Sequence, residues 1–454
     1  MFFVAIIVGR ALSVALAVIF TLISIVSCGE AEQIIQAGAD ITGIPIDGEG
    51  GVLSILQSRG DIGLPLQQAI ELYASANGSP RISVHTVANP HDYAAALRAR
   101  MLSGERADLF HIQAPGAVKA MRGELDDLSD LEWLSRAMPG TLDAVTAGDA
   151  VYGVPYSITG AGLVVNLQIF RGAGIFFGNR PTLESLEEAF KELWDQIQDG
   201  ELADAFPRLE AVTELAAMDE NYLGTYGADL FLTGSFGSVS EASGSDYLEP
   251  AGSDNARDFY RLMALYSPYN SWRQLTTISE ARMVENGIAT GRVAAIYHSA
   301  EVYRRIAAVD RELAGNLAIF PVPVGTEEDP YAAVFTGVPV YWAVGAQSTP
   351  ENKEEARKLL TWLYHSDSGA AEYAGRFMAV SPFRQRVRET GNPLDRQLLR
   401  HIDMGNSRPM LHPGAPEGWA EEFAASLQQF YSREISWDDL ADGLTEQWYQ
   451  KLVF

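Results

Sequence analysis

Short apolar runs alternate with amphipathic helical stretches along most of the chain. VLSILQS, from Val52, reads as a buried strand, with Ser58 to Asp61 as the loop after it. Pro65 suits a first helical turn, placing Leu66, Ile70 and Tyr73 on one face, and Asn77-Gly78 stops the helix. RISVHTVAN (Arg81 to Asn89) is the next strand, and the helix after it turns Tyr93, Leu97 and Met101 inward before Gly104. ADLFHI (Ala107 to Ile112) is a third strand. Such alternation predicts an α/β unit with a parallel sheet whose ligands gather at the carboxyl ends of the strands. Here those ends are Ser58 to Asp61 and Gln113 to Gly116.

YGVPYSITGAGLVVNLQIF, from Tyr152 to Phe170, then joins a turn, a polar and aromatic patch (Pro155 to Thr159) and an apolar strand ending at Asn166 and Leu167. Such a segment leaves one compact unit and enters another, and is expected to be a hinge. Thr182 to Ile197 is an amphipathic helix with Leu183, Leu186 and Phe190 inward. Glu220 to Gly237 reads as an aromatic, Gly-rich helix or loop, and Ser238 to Ser253 as an exposed loop. Met283 to Ile306 reads as helix, turn, strand and a second helix opening at His298 and Ser299. Asn316 to Gly325, a strand broken by two prolines, is the expected second crossing, and Met378 to Arg384 the third. Between them Val334 to Gly345 is strand, Thr349-Pro350 opens a helix, and Ser436 with Asp439 forms a capping box near the C-terminus. No repeat of solenoid type is visible.

The 454 residues carry 59 acidic against 33 basic side chains, a formal charge of −26. This excludes nucleic acid as a partner, since phosphate binding needs basic stripes. Between Phe2 and Val26 the only charge is Arg10, and this apolar run ends at Cys28, the only cysteine, so intramolecular disulfides are impossible. Branched and small residues before a lone Cys resemble the lipobox of bacterial lipoproteins. In them a signal peptide, here 1–27, is removed and the Cys is lipidated. An uncleaved anchor helix with an incidental Cys fits the same residues, and both place the body outside the cytoplasm. Polar, Gly-rich 28–51 reads as a tether, and so acidic a surface leaves membrane attachment to the lipid.

Five blocks together resemble the extracellular solute-binding proteins of bacterial ABC importers, in particular their family 1 sugar-binding group. They are Glu71 to Ile112, Tyr152 to Phe170, Gly287 to Ile306, Gly337 to Ala374 and Ile435 to Trp448, in the family's order. The resemblance implies a two-lobed, type II periplasmic-binding-protein fold, each lobe a mainly parallel sheet flanked by helices, with three hinge crossings. It divides the body into 52–157 plus 322–378 and 158–321 plus 379–454. It implies a monomer without cofactor or metal, whose partners are a carbohydrate-like small solute and a membrane permease.

Sugar recognition needs planar hydrogen-bonding groups and aromatic faces. The family's cleft loops place Ser58, Arg59 and Asp61, Gln113, the hinge residues Tyr156, Ser157 and Thr159, and the aromatics Tyr222 and Tyr226 at such a site. Tyr297, His298 and Ser299 lie at a strand-to-helix junction whose amides could also meet a ligand oxygen. Thr336 and Gly337 could line the cleft through their backbone, and Trp419 falls where the family often supplies an aromatic. Trp342 is expected in the core. Where relatives often place a Trp after the junction, this chain has Ala300 and Glu301.

The competing classes are a secreted glycosidase using paired carboxylates, Glu421-Glu422 or Asp438-Asp439, and a receptor presenting its ligand to a sensor. Helix solvation and dipole complementation account for both pairs, and no metal-ligand His spacing, nucleophile elbow or phosphate loop appears. Mass spectrometry of the mature protein is expected to show an acylated Cys28 at the N-terminus, and Cys28→Ala to release the protein from membranes.

Overall fold

The computed structural model describes residues 52–453 except 80, 89, 105–106, 252, 325–331 and 385–389. The signal-like segment, Cys28 and the tether lie outside these residues. Strand β1 (Val52–Gln57) pairs in parallel with β2 (Arg81–Thr86) and β3 (Leu109–Ile112), through helices α1 (Gly63–Asn77) and α2 (Pro90–Ser103). Gly78 ends α1 in the left-handed region at φ 61°, which a side chain would oppose. The sheet continues antiparallel onto β10 (Tyr341–Val344) and β4 (Val154–Pro155), in the order β2-β1-β3-β10-β4. One face is covered by α1 and α6 (Pro350–His365), and the other buries Tyr93 and Leu97 of α2.

The second sheet is centred on β5 (Thr159–Asn166), every residue of which is buried. β5 pairs antiparallel with β7 (Val293–Ser299) on one side and with β8 (Leu317–Phe320) and β9 (Val334–Gly337) on the other. β6 (Ala211–Thr213) and β11 (Ser407–Pro409) add at the edges, parallel to β7 and β9. Around it pack α3 (Leu183–Gln198), α4 (Ser253–Leu265), α8 (Trp419–Ser432) and α9 (Trp437–Val453), while Leu394 of α7 (Pro393–Asp403) joins the same core. The capping contacts expected at Thr349 and Ser436 are present, each hydroxyl accepting from a backbone N–H three residues on.

Two α/β lobes flanked by helices are therefore present, with mixed sheets where mainly parallel ones are expected. The difference follows from the crossings, because chain entering from the other lobe runs against its neighbours. The chain first passes from one sheet to the other at Tyr156 to Ile158. The second crossing lies later than the two prolines suggest: β8 and β9 both belong to the second sheet, so Val334–Gly337 leave the first lobe and the chain returns to it at Val338 to Val340. Two prolines near Phe320 mimic a hinge signal but mark the end of a strand that stays in its lobe. At the third crossing Val380 bridges Ile158, and Phe383 still packs in the first core, so that lobe extends past 378. Ser238 to Ser253, expected as loop, contains a helical turn at Val239–Gly244 capped by Ser238.

Gly162 lies in β5 where a Cβ would stand 2.6 Å from the Phe320 carbonyl oxygen. Gly162→Ala must push β8 off the sheet, and overpacking of this kind costs about 1–3 kcal/mol. Urea unfolding is expected to show a lowered midpoint with an unchanged slope.

Candidate functional site

The two lobes meet where β1, β3 and β7 end and the first crossing begins. Gln57 fixes the start of the loop after β1, its side-chain oxygen accepting from the Arg59 N–H at 2.6 Å. Arg59 grips Asp61 with two hydrogen bonds of 2.8 Å and lies 5.5 Å from the centre of the Tyr156 ring. Its remaining arm reaches across to Glu301 at 3.3 Å, while Arg304 on α5 (Tyr303–Val309) returns to Asp61 at 3.2 Å. Arg304 also donates to the Phe377 carbonyl. Two cations and two anions thus span the cleft, paired within and between the lobes. Burial works to raise the Asp61 pKa, but Arg59 and Arg304 outweigh it and hold the carboxyl below its usual range.

Beneath this quartet lie polar atoms that find no protein partner. Tyr156 is 1 % exposed and its hydroxyl is unbonded, as are Ser157 Oγ and Thr159 Oγ1. Buried hydroxyls are ordinarily satisfied, so three within four residues, two on the crossing and one at the start of β5, call for another bonding partner. Burial raises the Tyr156 hydroxyl pKa, keeping it a neutral donor.

His111 belongs to the same group, although sequence reading missed it inside an apolar strand. Its Nδ1 accepts from the Ser58 N–H at 3.1 Å, which leaves the proton on Nε2, and Nε2 is buried without a partner. The ring packs on Trp342 at 3.9 Å and edge-on to Tyr156 at 5.7 Å. Burial, then Arg59, push its pKa down to about 3, so it stays neutral. The available signal was alternation: His111 shares a strand face with Leu109 at a carboxyl end.

From the second lobe come Tyr226, His298 and Ser299. The helix carrying Tyr222 and Tyr226 contains one π-turn, Leu223–Gly227, and such widened turns recur at functional sites. Tyr226 is half-buried, packs with its ring tilted 43° and 4.9 Å from His298, and donates to Ser299 Oγ at 3.3 Å. Tyr222 is committed to the Tyr297 carbonyl at 2.7 Å, and Tyr297 is buried in the core, so both act in packing. β7 runs through Ser299 and a 3₁₀ turn follows, so no helix begins at His298. The Ser299 N–H donates to His298 Nδ1, which leaves His298 Nε2 to donate to Glu280, and the expected free amide is occupied. His298, with Arg305 adding to it, keeps the Glu280 pKa low against the effect of burial.

Thr336 and Gly337 stand opposite Gly160 and Thr159 across β5 and β9, beside the first crossing. Gln113 is exposed at the end of β3. Trp419 does not reach the site: it is wholly buried in the second core, its indole N–H donating to the Leu444 carbonyl at 3.0 Å, so it has no face for a ligand. Trp342 is in the core, as its strand position implies. Glu421, Glu422, Asp438 and Asp439 sit exposed in the first turns of α8 and α9, far in character from a catalytic pair. Among the described residues no cluster of His, Cys, Asp and Glu could hold a metal ion.

Two α/β lobes that meet over buried, unpartnered hydroxyls have the architecture of a binding protein with an interlobe cleft. The chain belongs to the bacterial extracellular solute-binding proteins, whose family profile matches residues 68–395. No curated protein matches it. Among solved structures it is similar to the apo form of RafE from Streptococcus pneumoniae, with TM-score 0.68 and 15% identity over 89% of this chain and 100% of that one. It is also similar to the putative binding protein MsmE from Bacillus subtilis in an open conformation (TM-score 0.67, 15% identity, 88% and 97% covered). A sugar transporter from Bacillus licheniformis in complex with stachyose gives 0.63 at 15% identity, with 88% and 100% covered. At these identities the likeness establishes the fold.

Because folded His111 titrates near pH 3 and an unfolded His near 6.5, the unfolded chain binds the extra proton between these values. Stability is therefore expected to fall as pH drops from 6.5 toward 3, by up to about 1.4 kcal/mol per pH unit from this group. His111→Asn should remove that share of the slope in denaturant titrations across the window.

Proposed function

We propose that this protein is the substrate-binding component of an ABC importer, capturing a sugar or other polyhydroxylated solute between its lobes and passing it to a membrane permease. The observation that carries the reading is the set of buried, unpartnered groups at the crossing and on the adjoining strands: Tyr156 hydroxyl, Ser157 Oγ, Thr159 Oγ1 and His111 Nε2. Each is a neutral hydrogen-bonding group of the kind that matches a sugar hydroxyl, and the half-buried Tyr226 adds an aromatic ring from the second lobe. The raffinose and stachyose complexes of structural neighbours support the solute class. Cys28 as the lipid attachment point would hold the body close to its permease. The reaction cycle is binding and closure, with no bond made or broken in the solute.

Closure on a ligand stabilises the folded state by mass action, so the solute raises Tm in a thermal-shift screen across sugars and polyols. Replacing Tyr156 by Phe together with Ser157 by Ala removes two hydroxyls from the site. We expect affinity for the solute so found to drop about 10–100-fold, at about 1 kcal/mol or more per lost bond, with cooperative melting retained. Unchanged affinity would take the hinge residues out of the site, and cleavage of a labelled glycan would replace binding by hydrolysis.

A further inference from the structure

The charges at the mouth of the cleft narrow the solute further. Arg59 offers Nε and Nη2 to Asp61 and Nη1 to Glu301, and Arg304 offers Nη1 to Asp61 Oδ2, the oxygen that also accepts from Arg59 Nη2. Two guanidinium groups and two carboxylates sum to zero, and each has its counter-ion inside the group. Glu280, the next carboxylate inward, is held by His298 and Arg305. Behind Glu301, buried Asp395 accepts from Thr390 at 2.6 Å and Asn392 at 3.0 Å, and Asn392 in turn holds the Ala300 carbonyl. The atoms left for a ligand beneath are three hydroxyls and one imidazole N–H, all neutral.

From this arrangement we infer that the cleft selects an uncharged polyhydroxylated solute and rejects its phosphorylated, carboxylated and amino derivatives. The inference rests on the solute-binding reading above. A phosphate or carboxylate carried under the quartet would lose its hydration, and among the described residues there the guanidinium groups of Arg59, Arg304 and Arg305 are already paired with carboxylates. To gain Arg59 it would have to break a two-pronged bond to Asp61 and strand that carboxylate beside Glu301 and Asp395. An ammonium group would sit against Arg59 and Arg304, whose partners are already engaged. Desolvating a charge without a counter-ion is among the most unfavourable events in binding, whereas a hydroxyl finds donors and acceptors in the existing row. The same quartet gives specificity a local cause: Glu301 is the one member that holds Arg59 from the opposite lobe, through a single 3.3 Å contact, and its side chain is 43 % exposed.

The test is a matched panel: neutral hexoses, pentoses, disaccharides and alditols, each beside its phosphate, uronate and amino counterpart, read by thermal shift and by calorimetry. The wild-type protein is expected to bind a neutral member at least about tenfold more tightly than each charged counterpart. In Glu301→Gln, which frees Arg59 Nη1, the uronate-to-neutral affinity ratio is expected to rise about tenfold, and 0.5 M NaCl to cancel that gain. A charged derivative that binds the wild type better than its neutral parent overturns the inference while leaving solute binding intact. An unchanged ratio in Glu301→Gln overturns the part assigned to the quartet. A panel in which no member binds overturns both the inference and the solute-binding reading.

Discussion

Everything in this fold depends on three lengths of chain that cross between the lobes side by side and hydrogen-bond to one another. The Tyr156 N–H donates to the Val340 carbonyl and the Ile158 N–H to the Val380 carbonyl, each at 3.0 Å. The Tyr156 carbonyl in turn accepts from the hydroxyls of Tyr364 and Tyr373, both buried. The backbone of Tyr156 and the N–H of Ile158 are thus engaged, while the hydroxyls of Tyr156, Ser157 and Thr159 are not. This division lets one short segment serve as the joint between lobes and as the floor of the cleft. A hinge needs a few residues able to absorb dihedral change, and it needs the rest held still.

The charged quartet stands in a different relation to motion. Its bonds between the lobes, Arg59 to Glu301 and Arg304 to Asp61, exist only when the lobes are together. At 3.3 and 3.2 Å and partly open to solvent, they are modest contacts of the kind that add little to stability on their own. Their placement is what distinguishes them, since they join the loop after β1 to the segment after β7 beside the Tyr156 ring.

Much of the fold was legible in the sequence because periodicity is a local property. Strand and helix alternation through Ile112, the caps at Thr349 and Ser436, and the hinge at Tyr156 follow from residues a few positions apart. What escaped was long-range pairing. Nothing near Val334 says that it joins β5 rather than β10, and the prolines after Phe320 imitate a crossing. The site was half legible for the same reason. Ser58, Arg59, Asp61, Tyr156, Ser157 and Thr159 stand at element ends, where a reader looks for polar residues, and the structure brings them together. His111 was hidden because its neighbours are apolar, and Glu301 and Arg304 because they look like an ordinary helix surface. Trp419 misled through its residue type: a large aromatic at a helix start fits a platform and a core equally well, and only the surrounding rings of Phe231, Phe423 and Trp448 decide.

The interleaving of the lobes also governs how the chain can be assembled. The first sheet is incomplete without Tyr341–Val344, and the second lacks its edge until Ser407–Pro409 arrives. Neither lobe can close its core on a growing chain until most of the polypeptide exists, and contacts this distant in sequence form slowly. A protein bound for the outside of the cell must cross a membrane before it folds. An order of strands that postpones collapse keeps the chain threadable for that passage.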